Sequence, residues 1–248
     1  MMCKKEICPL IKKTGAILFW IALWYIAAII VDSTLLMPTP LQTADRLLEL
    51  AGTAKFYQAL GMSLLRILSG FLLGMISGAV LGLLSAKVHT VKYLLDPPVS
   101  LIRTAPVASF IVLALVWMKT GVLPVFISSL MVLPIFYSSI QEGIFSIDKN
   151  LREYCDVIKA AKSERYRAYI RPALLPPLRI AAVNGAGLAW KSGIAAEVIC
   201  RPYFALGTLL SNGKSTLDTS QVFAVTLTII IISMLFSAIL KKIWGQAS

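Results

Sequence analysis

Apolar residues are concentrated in six long runs, separated by shorter segments that carry most of the charged residues. The runs cover residues of about 15–31, 67–86, 104–118, 122–140, 178–199 and 222–240. A helix needs about 20 mostly apolar residues to cross the ~30 Å hydrocarbon core of a bilayer, because each residue advances ~1.5 Å. The pattern predicts an all-α, polytopic membrane helix bundle of about six transmembrane helices, with residues 1–248 as a single domain.

The composition fits a membrane protein better than a soluble one. Hydrophobic residues make up 58% of the 248 residues, and the mean hydropathy is +0.80, whereas about half apolar is usual in soluble domains. The first apolar run is longer than the apolar part of a secretory signal and lacks a small-x-small cleavage site before Asp32. We therefore interpret it as an uncleaved first span.

Lysine and arginine residues predict the orientation, because cytoplasmic segments are enriched in them. With the N-terminus inside, 17 of the 24 lie in cytoplasmic segments and five lie outside. Both termini and the loop 141–177 are then cytoplasmic, in a multi-pass protein of the cell's inner (cytoplasmic) membrane. The net charge of +12 sits at membrane edges rather than on a folded basic surface, so no nucleic-acid partner is expected.

The most polar part of the long cytoplasmic loop has the pattern of two short amphipathic helices. Leu151, Tyr154, Cys155 and Ile158 follow the i, i+3, i+4, i+7 spacing of one helix face, and Asp148 or Asn150 can cap that helix. Ser163 can cap a second helix. We expect Pro172, Pro176 and Pro177 to end the segment, because proline lacks an N–H donor and blocks helix continuation.

Two further patterns concern the second span and the outer segment before it. Four glycines recur at every fourth position of the second span, at Gly70, Gly74, Gly78 and Gly82. Such a ridge allows close approach of helix backbones within a membrane, so helix packing is the role we expect. In the outer segment, residues 36–40 are expected to be extended, with Thr43 capping a short helix.

The fifth span contains polar residues that need a structural explanation. Asn184, Lys191 and Glu197 lie within it, and ionisable groups inside a membrane are costly unless they face a cavity or a partner. Lys191 lies past the midplane and Glu197 near the outer edge, and their six-residue spacing does not favour a direct pair. All three are candidate pathway residues, with a solvated interfacial carboxylate or a salt bridge at the helix end as the alternatives for Glu197.

The cytoplasmic loop resembles the EAA coupling loop of ATP-binding-cassette (ABC) importer permeases, in which Glu-Ala-Ala precedes a Gly and later a Leu-Pro pair. Glu153 matches the Glu, Tyr154 and Cys155 stand at the alanines, Lys159 stands at the Gly, and Leu175 with Pro176 matches the final pair. Without that Gly, we expect the first helix to continue through 160–161.

The resemblance covers about residues 36–240 and is nearest to the nitrate, sulfonate and taurine importers. Segments 63–71 and 96–106 are similar to the Ser-Leu-x-Arg, Arg-x-x-x-Gly-Phe, Asp-Pro and Arg-x-x-Pro segments of that subfamily. It implies a type I importer fold, a homodimer with a central pathway, partner ATPase subunits and an extracytoplasmic solute-binding protein. The implied coupling residues are Leu151, Glu153, Tyr154, Cys155, Ile158, Lys159, Ala160 and Pro176.

Motifs for chemistry within the chain are not found. There is no phosphate-binding GxxxxGK[ST] loop, HExxH or GxSxG motif, and His89 is the only histidine. We therefore expect no enzyme activity, metal or cofactor in this subunit, with ATP hydrolysis on a partner. An ion-coupled secondary transporter stays open as an alternative, and the solute could be a sulfonate, nitrate, a bicarbonate-like anion or a thiamine-precursor pyrimidine.

Overall fold

The computed structural model describes the backbone of residues 4–244 and the side chains of residues 15–243. Over this range the backbone forms eleven α-helices and one π-helical turn and contains no strand. The helices are α1 Lys4–Val31, α2 Pro40–Ala51, α3 Ala54–Lys87, α4 His89–Thr104, α5 Val107–Leu115, α6 Leu123–Phe145, α7 Lys149–Val157, α8 Lys162–Arg165, α9 Arg171–Cys200, α10 Leu206–Ser215 and α11 Thr219–Trp244; the π turn, between α8 and α9, is Tyr166–Ile170.

Three of the described helices are long and apolar enough to cross a bilayer unaided. They are α3, α6 and α11, and they overlap the second, fourth and sixth predicted spans. Helices α4 and α5 meet that criterion only together, and they are bent by 103° at the break between them. The described part of the chain therefore has three such helices, or four if the bent pair is one span.

Of the remaining predicted spans, the third differs from the sequence interpretation, whereas the first and fifth lie within longer helices. The predicted third span, 104–118, is not one straight helix, because α5 has only nine residues and its preceding residue Pro106 is extended, with ψ of 130°. Helix α9 contains the predicted fifth span and has 30 residues. Because of its polar residues, it is not among the helices that are apolar enough to cross a bilayer unaided. The apolar part of α1, Gly15–Val31, coincides with the predicted first span.

Helices α3, α6 and α9 form the centre of the bundle. Phe71 of α3 packs edge-on against Phe136 of α6, with ring centroids 6.0 Å apart. Small residues of α9 fill the remaining space, since Ala182 and Ala186 are fully buried in the same cluster. This packing fixes α9 between two long apolar helices, with one face in the core.

The four glycines of α3 lie against the backbone of α6. A methyl group on Gly70 would lie 2.6 Å from the carbonyl oxygen of Val125, and one on Gly74 would lie 2.5 Å from that of Ser129. Gly78 and Gly82 meet the next two turns of α6 in the same way. Only glycine allows this separation, because any side chain would overlap backbone atoms.

The outer segment before α3 begins its helix earlier than the sequence suggested. Thr39, not Thr43, is the N-cap of α2: its side chain accepts a hydrogen bond from Gln42 N, and the Gln42 side chain accepts one from Thr39 N. Thr43 is instead fully buried. Pro40 occupies the first helical position, where its missing donor and fixed φ suit a helix start.

Large apolar side chains cover the outside of several helices. On α1, Ile17 to Tyr25 are mostly exposed, as are Leu73 and Ile76 of α3 and Met234 of α11. Exposed apolar area on this scale would be unfavourable in water. It is the surface that a bilayer covers.

Candidate functional site

Helix α7 begins with a side-chain cap and forms the first arm of the elbow, which we define as residues 148–171. Asp148 is its N-cap, accepting a hydrogen bond from the Asn150 N–H at 2.8 Å. Lys149 and Glu153 lie one turn apart on the exposed surface, with 3.7 Å between Nζ and Oε1. Such exposed pairs contribute little to stability, so the cap defines the start of the helix.

Helix α7 ends at Val157 in a sharp turn, which corrects the expectation that it continues through Ala160. Lys159 has a φ of 51°, in the left-handed region. Its N–H donates to Asp156 O, and the Ala160 N–H donates to Cys155 O at 3.0 Å. These are the two hydrogen bonds of a Schellman motif, in which glycine is the usual left-handed residue. The turn therefore forms with lysine at the glycine position.

Arg165 holds the turn together from the second arm of the elbow. Its guanidinium donates to Ala160 O at 2.8 Å, to Cys155 O at 3.3 Å and to the Asp156 carboxylate. The carbonyl oxygens at a helix C-terminus lack partners within the helix and favour a positive charge. One arginine thus joins the end of α7 to α8 and offsets the unfavourable backbone of Lys159.

The predicted apolar face of α7 is divided between exposed and buried residues. Tyr154 and Ile158 are 62% and 54% exposed, and Leu151 is 39% exposed. Cys155 is buried and packs inward, so it belongs to the elbow's own interior rather than to a surface. Val157 is 81% exposed on the same side and was missed, because the sequence pattern was matched only to i, i+3, i+4 and i+7 from Leu151.

The prolines after the elbow do not end the helical segment, contrary to the sequence expectation. Pro172 lies in the first turn of α9, and Pro176 and Pro177 lie inside that helix. The π-helical turn Tyr166–Ile170 comes directly before it, with the Arg171 N–H bonded to Tyr166 O. A wider π turn supplies the local adjustment that a proline ring needs inside a helix. The second arm therefore runs without a loop into α9.

Helix α9 presents two of its three polar candidates on one open face. Asn184 and Lys191 are both exposed, and seven residues, or about two turns, separate them. The opposite face, including Ala189 and Trp190, is buried in the core. Lys191 lies about 14 Å along the helix from its outer end at Cys200, so an ammonium group sits open to the side at membrane depth.

Glu197 lies away from that open face and is completely buried. Ser63 Oγ donates to its Oε2 at 2.7 Å, and the Gly207 N–H donates to the same atom at 3.2 Å. The Arg66 guanidinium lies 3.6 Å from Oε1. Of the two alternatives to a pathway role, the solvated carboxylate is wrong, whereas the salt bridge near the helix end is present, with Arg66 as partner. Glu197 thus joins α3, α9 and α10.

Arg66 extends this buried network to the loop after α9. Its guanidinium donates to the carbonyl oxygens of Tyr203 and Phe204 at 2.9 and 3.0 Å. Phe204 has a φ of 50°, and Tyr203 is 88% exposed. Arg66 thus holds the loop after α9 in place, through contacts between residues more than 130 positions apart in the sequence.

A second hydrogen-bonded network joins α3, α4 and α6 near the C-terminal ends of α3 and α6. Gln141 donates to Ser85 Oγ at 2.7 Å, Ser85 to Tyr137 Oη at 2.8 Å, and Tyr137 to Asp96 Oδ1 at 2.7 Å. A cavity of about 230 Å³ adjoins it, with Arg103 in its wall. Each group in the chain is satisfied, so the network fixes α4 against the bundle.

The described side chains include two cysteines, Cys155 and Cys200. Both are buried and unpaired by disulfides. Among the residues that the structure describes, no group of three or more His, Cys, Asp or Glu side chains is placed to hold a metal ion. What the elbow and α9 offer is contact surface and charge.

Comparison with known proteins identifies the group to which these features correspond. A family model described as "Binding-protein-dependent transport system inner membrane component" matches residues 70–243. The match includes the glycine ridge from its first residue, the elbow, and the polar face of α9.

Individual relatives match over most of their length. The chain is 26% identical to the taurine transport system permease protein TauC of Escherichia coli (strain K12), covering 89% of this chain and 82% of that protein. It is 28% identical to the putative aliphatic sulfonates transport permease protein SsuC of the same organism, over 90% and 82%. The corresponding SsuC of Bacillus subtilis (strain 168) is 25% identical, over 82% and 74%.

Proposed function

The chain belongs to the family of binding-protein-dependent transport system inner-membrane components, and we propose that it forms the pathway for a small anionic solute such as a sulfonate. As a member, it is the multi-pass permease subunit of an ABC importer, with the type I fold. It is not itself an enzyme, because ATP hydrolysis in this family lies in a partner subunit. Membership also excludes the ion-coupled carrier that the sequence left open.

In the proposed assembly, two copies of the chain surround the pathway, with ATPase subunits on the cytoplasmic side and a solute-binding protein outside. The family implies both kinds of partner. The homodimer and the cytoplasmic position of both termini are part of the proposal. The excess of lysine and arginine in the predicted inner segments supports the position of the termini. Residues 1–3 fall outside the described part of the chain, so their placement rests on the sequence alone.

The elbow is the proposed contact with the ATPase. The carrying observation is that Tyr154, Val157 and Ile158 expose apolar surface on a helix whose ends are tied down by Asp148 and by Arg165. An amphipathic helix of this kind binds by laying its apolar side chains into a groove. Rigid attachment to α9 through the π turn would carry the movement of the ATPases into the bundle.

A charge on this surface tests the coupling. Tyr154→Asp, or Ile158→Asp, places a carboxylate in the apolar contact and is expected to uncouple ATP hydrolysis from uptake in the reconstituted importer. Ser163→Asp is the matched control, because it adds the same charge to the elbow at an exposed helix N-terminus, where a carboxylate is tolerated. Undiminished, solute-stimulated hydrolysis in Tyr154→Asp would reject this role for α7.

The proposed solute class rests on α9. Lys191 and Asn184 share a face that the single subunit leaves open, and a cation at membrane depth requires water, a partner or an anionic ligand. The relatives named above carry taurine and aliphatic sulfonates in their names, which agrees with an anionic solute. Glu197 is excluded from the proposed lining, because it is fully buried between helices.

Uptake by charge-removal variants tests this assignment. Lys191→Met is expected to lower uptake of a sulfonate at least several-fold while membrane levels of the protein stay normal. Lys214→Met removes an exposed lysine from α10, away from this face, and is expected to leave uptake unchanged. Normal uptake kinetics in Lys191→Met would remove Lys191 from the pathway and leave the coupling proposal intact.

A further inference from the structure

A cavity of about 350 Å³ lies between the inner ends of α3 and α6, the elbow and the start of α9. Six of its nine lining residues are apolar, and they include Leu83, Ile144 and Leu174. The others are Lys87, Arg152 and Tyr169, and none is acidic. From this combination we propose that the cavity binds one anionic phospholipid, with its phosphate between Lys87 and Arg152.

The cationic side of the cavity has no counter-charge from the protein. Within the described side chains, neither Lys87 nor Arg152 forms an ion pair, although Lys149 and Arg165 of the same elbow do. Lys92 adds a third positive charge nearby, with its Nζ 4.8 Å from the ring centre of Phe145, the neighbour of a lining residue. Basic pockets at the inner ends of membrane helices attract anionic headgroups.

The apolar side of the cavity favours a lipid over a soluble anion. Leu83 lies one turn before Lys87 on α3, so the apolar wall extends from the charged rim toward the hydrocarbon. Leu174, which is part of this wall, packs against Gly143 of α6. A free phosphate ion would leave this wall in contact with water, whereas an acyl chain covers it.

The site also joins parts of the molecule that are distant in sequence. Lys87 ends α3, Arg152 belongs to α7, and Tyr169 lies in the π turn. Such turns are frequent at functional sites, because they redirect a side chain out of the regular helix pattern. A bound lipid would fix the first arm of the elbow to the bundle, so its binding is a property of the folded chain and does not depend on which solute is carried.

Native mass spectrometry of the purified full-length chain tests the site directly. Phosphatidylglycerol and phosphatidylcholine are titrated separately into delipidated protein, and the affinity for the first bound lipid molecule is measured. Phosphatidylglycerol is expected to bind at least about tenfold more tightly than phosphatidylcholine, because each basic residue adds to the attraction for an anionic headgroup. Equal binding of the two lipids would overturn the proposal.

Variants of the lining residues test where the lipid binds, and competition with phosphate tests whether the ligand is a phospholipid or a free anion. The double variant Lys87→Gln with Arg152→Gln is expected to abolish the preference for phosphatidylglycerol over phosphatidylcholine. The charge-conserving double variant Lys87→Arg with Arg152→Lys is expected to keep that preference, and it also shows whether a chain altered at these two positions still folds. Lys162→Gln with Arg167→Gln is the control, since it removes two exposed cations of the elbow that do not line the cavity. An unchanged preference in Lys87→Gln with Arg152→Gln, or displacement of the lipid by excess inorganic phosphate, would contradict a phospholipid site.

Discussion

Glu197 owes its role to partners that are far away in the sequence. Ser63 lies 134 residues before it and donates at 2.7 Å, and the Gly207 N–H comes from the next helix. The composition of the fifth span predicted that a carboxylate would need an explanation, but not that two helices and a loop would enclose it. Burial with hydrogen-bond donors, rather than contact with water, makes the charge tolerable.

Removing this carboxylate is expected to destabilise the fold strongly. Glu197→Ala leaves the Arg66 guanidinium without its nearby anion and Ser63 without its acceptor, and breaking a buried pair costs about 3–5 kcal/mol. Glu49→Ala is the control, because it removes an exposed partner of Arg46 and such pairs contribute at most about 1 kcal/mol. Denaturant unfolding in detergent micelles measures both, and equal losses would show that the buried network is not stabilising.

At the scale of single helices, spacing was the most reliable guide. The four-residue repeat from Gly70 to Gly82 is visible in the sequence, and the structure places every member against the backbone of α6. Helix α6 itself could not be identified as the partner, because its sequence carries no complementary repeat. A pattern thus predicts which face packs closely, whereas the choice of partner depends on the whole bundle.

A single methyl group tests that contact. Gly74→Ala would place a carbon 2.5 Å from the carbonyl oxygen of Ser129, so the helices must separate, and overpacking of this kind costs about 1–3 kcal/mol. Gly61→Ala is matched to it in the same helix, because nothing lies within 4 Å of its added carbon. We expect Gly61→Ala to be neutral or stabilising by about 0.5–1 kcal/mol, and equal destabilisation of both variants would contradict the close packing.

The turn after α7 forms although position 159 has lysine and not glycine, which is why the prediction of a longer first helix was wrong. Left-handed backbone costs a residue with a side chain about 1–2 kcal/mol relative to its ordinary conformation, which argued for a longer helix. The structure offsets that cost with two Schellman hydrogen bonds and with Arg165, whose three acceptors lie around the turn. A local rule failed because a residue six positions later compensates for it.

Glycine at this position is expected to strengthen the elbow. Lys159→Gly removes the unfavourable left-handed backbone of lysine and should stabilise the turn, offset in part by the greater freedom of glycine in the unfolded chain, for a net gain of about 0.5 kcal/mol. Lys162→Gly, at an exposed helical position, should instead weaken α8. Hydrogen exchange of the α7 amides measures both, and slower exchange in Lys162→Gly than in Lys159→Gly would contradict the left-handed turn.

For the whole molecule, the apolar runs predicted a helical membrane protein and missed how some runs fold. The run 104–118 contains Pro106, yet nothing in its hydropathy indicates the 103° bend between α4 and α5. Likewise, Pro172 and the pair at 176–177 suggested a break where the helix in fact continues through a π turn. In both places helix direction depends on local backbone geometry and packing. Neither the hydropathy of a segment nor the presence of a proline specifies these.

The arrangement of the whole molecule offers a route by which a partner ATPase can drive a subunit that has no nucleotide-binding motif of its own. The elbow is stiffened by Asp148 and Arg165 and continues into α9, which carries Lys191 on its open face. A movement imposed on α7 would therefore reach the proposed pathway through the turn held by Arg165 and then through α8, the π turn and α9. This arrangement requires that α7 lie on the cytoplasmic side and the loop held by Arg66 lie on the other.

Side-specific labelling tests that requirement most directly. Single cysteines replace Val157, which is 81% exposed on α7, and Tyr203, which is 88% exposed on the outer loop, in a variant whose native cysteines are replaced by alanine. With a membrane-impermeant maleimide, we expect Val157→Cys to react only in inside-out vesicles and Tyr203→Cys only in right-side-out vesicles. Reaction of Val157→Cys in right-side-out vesicles would contradict coupling through the elbow.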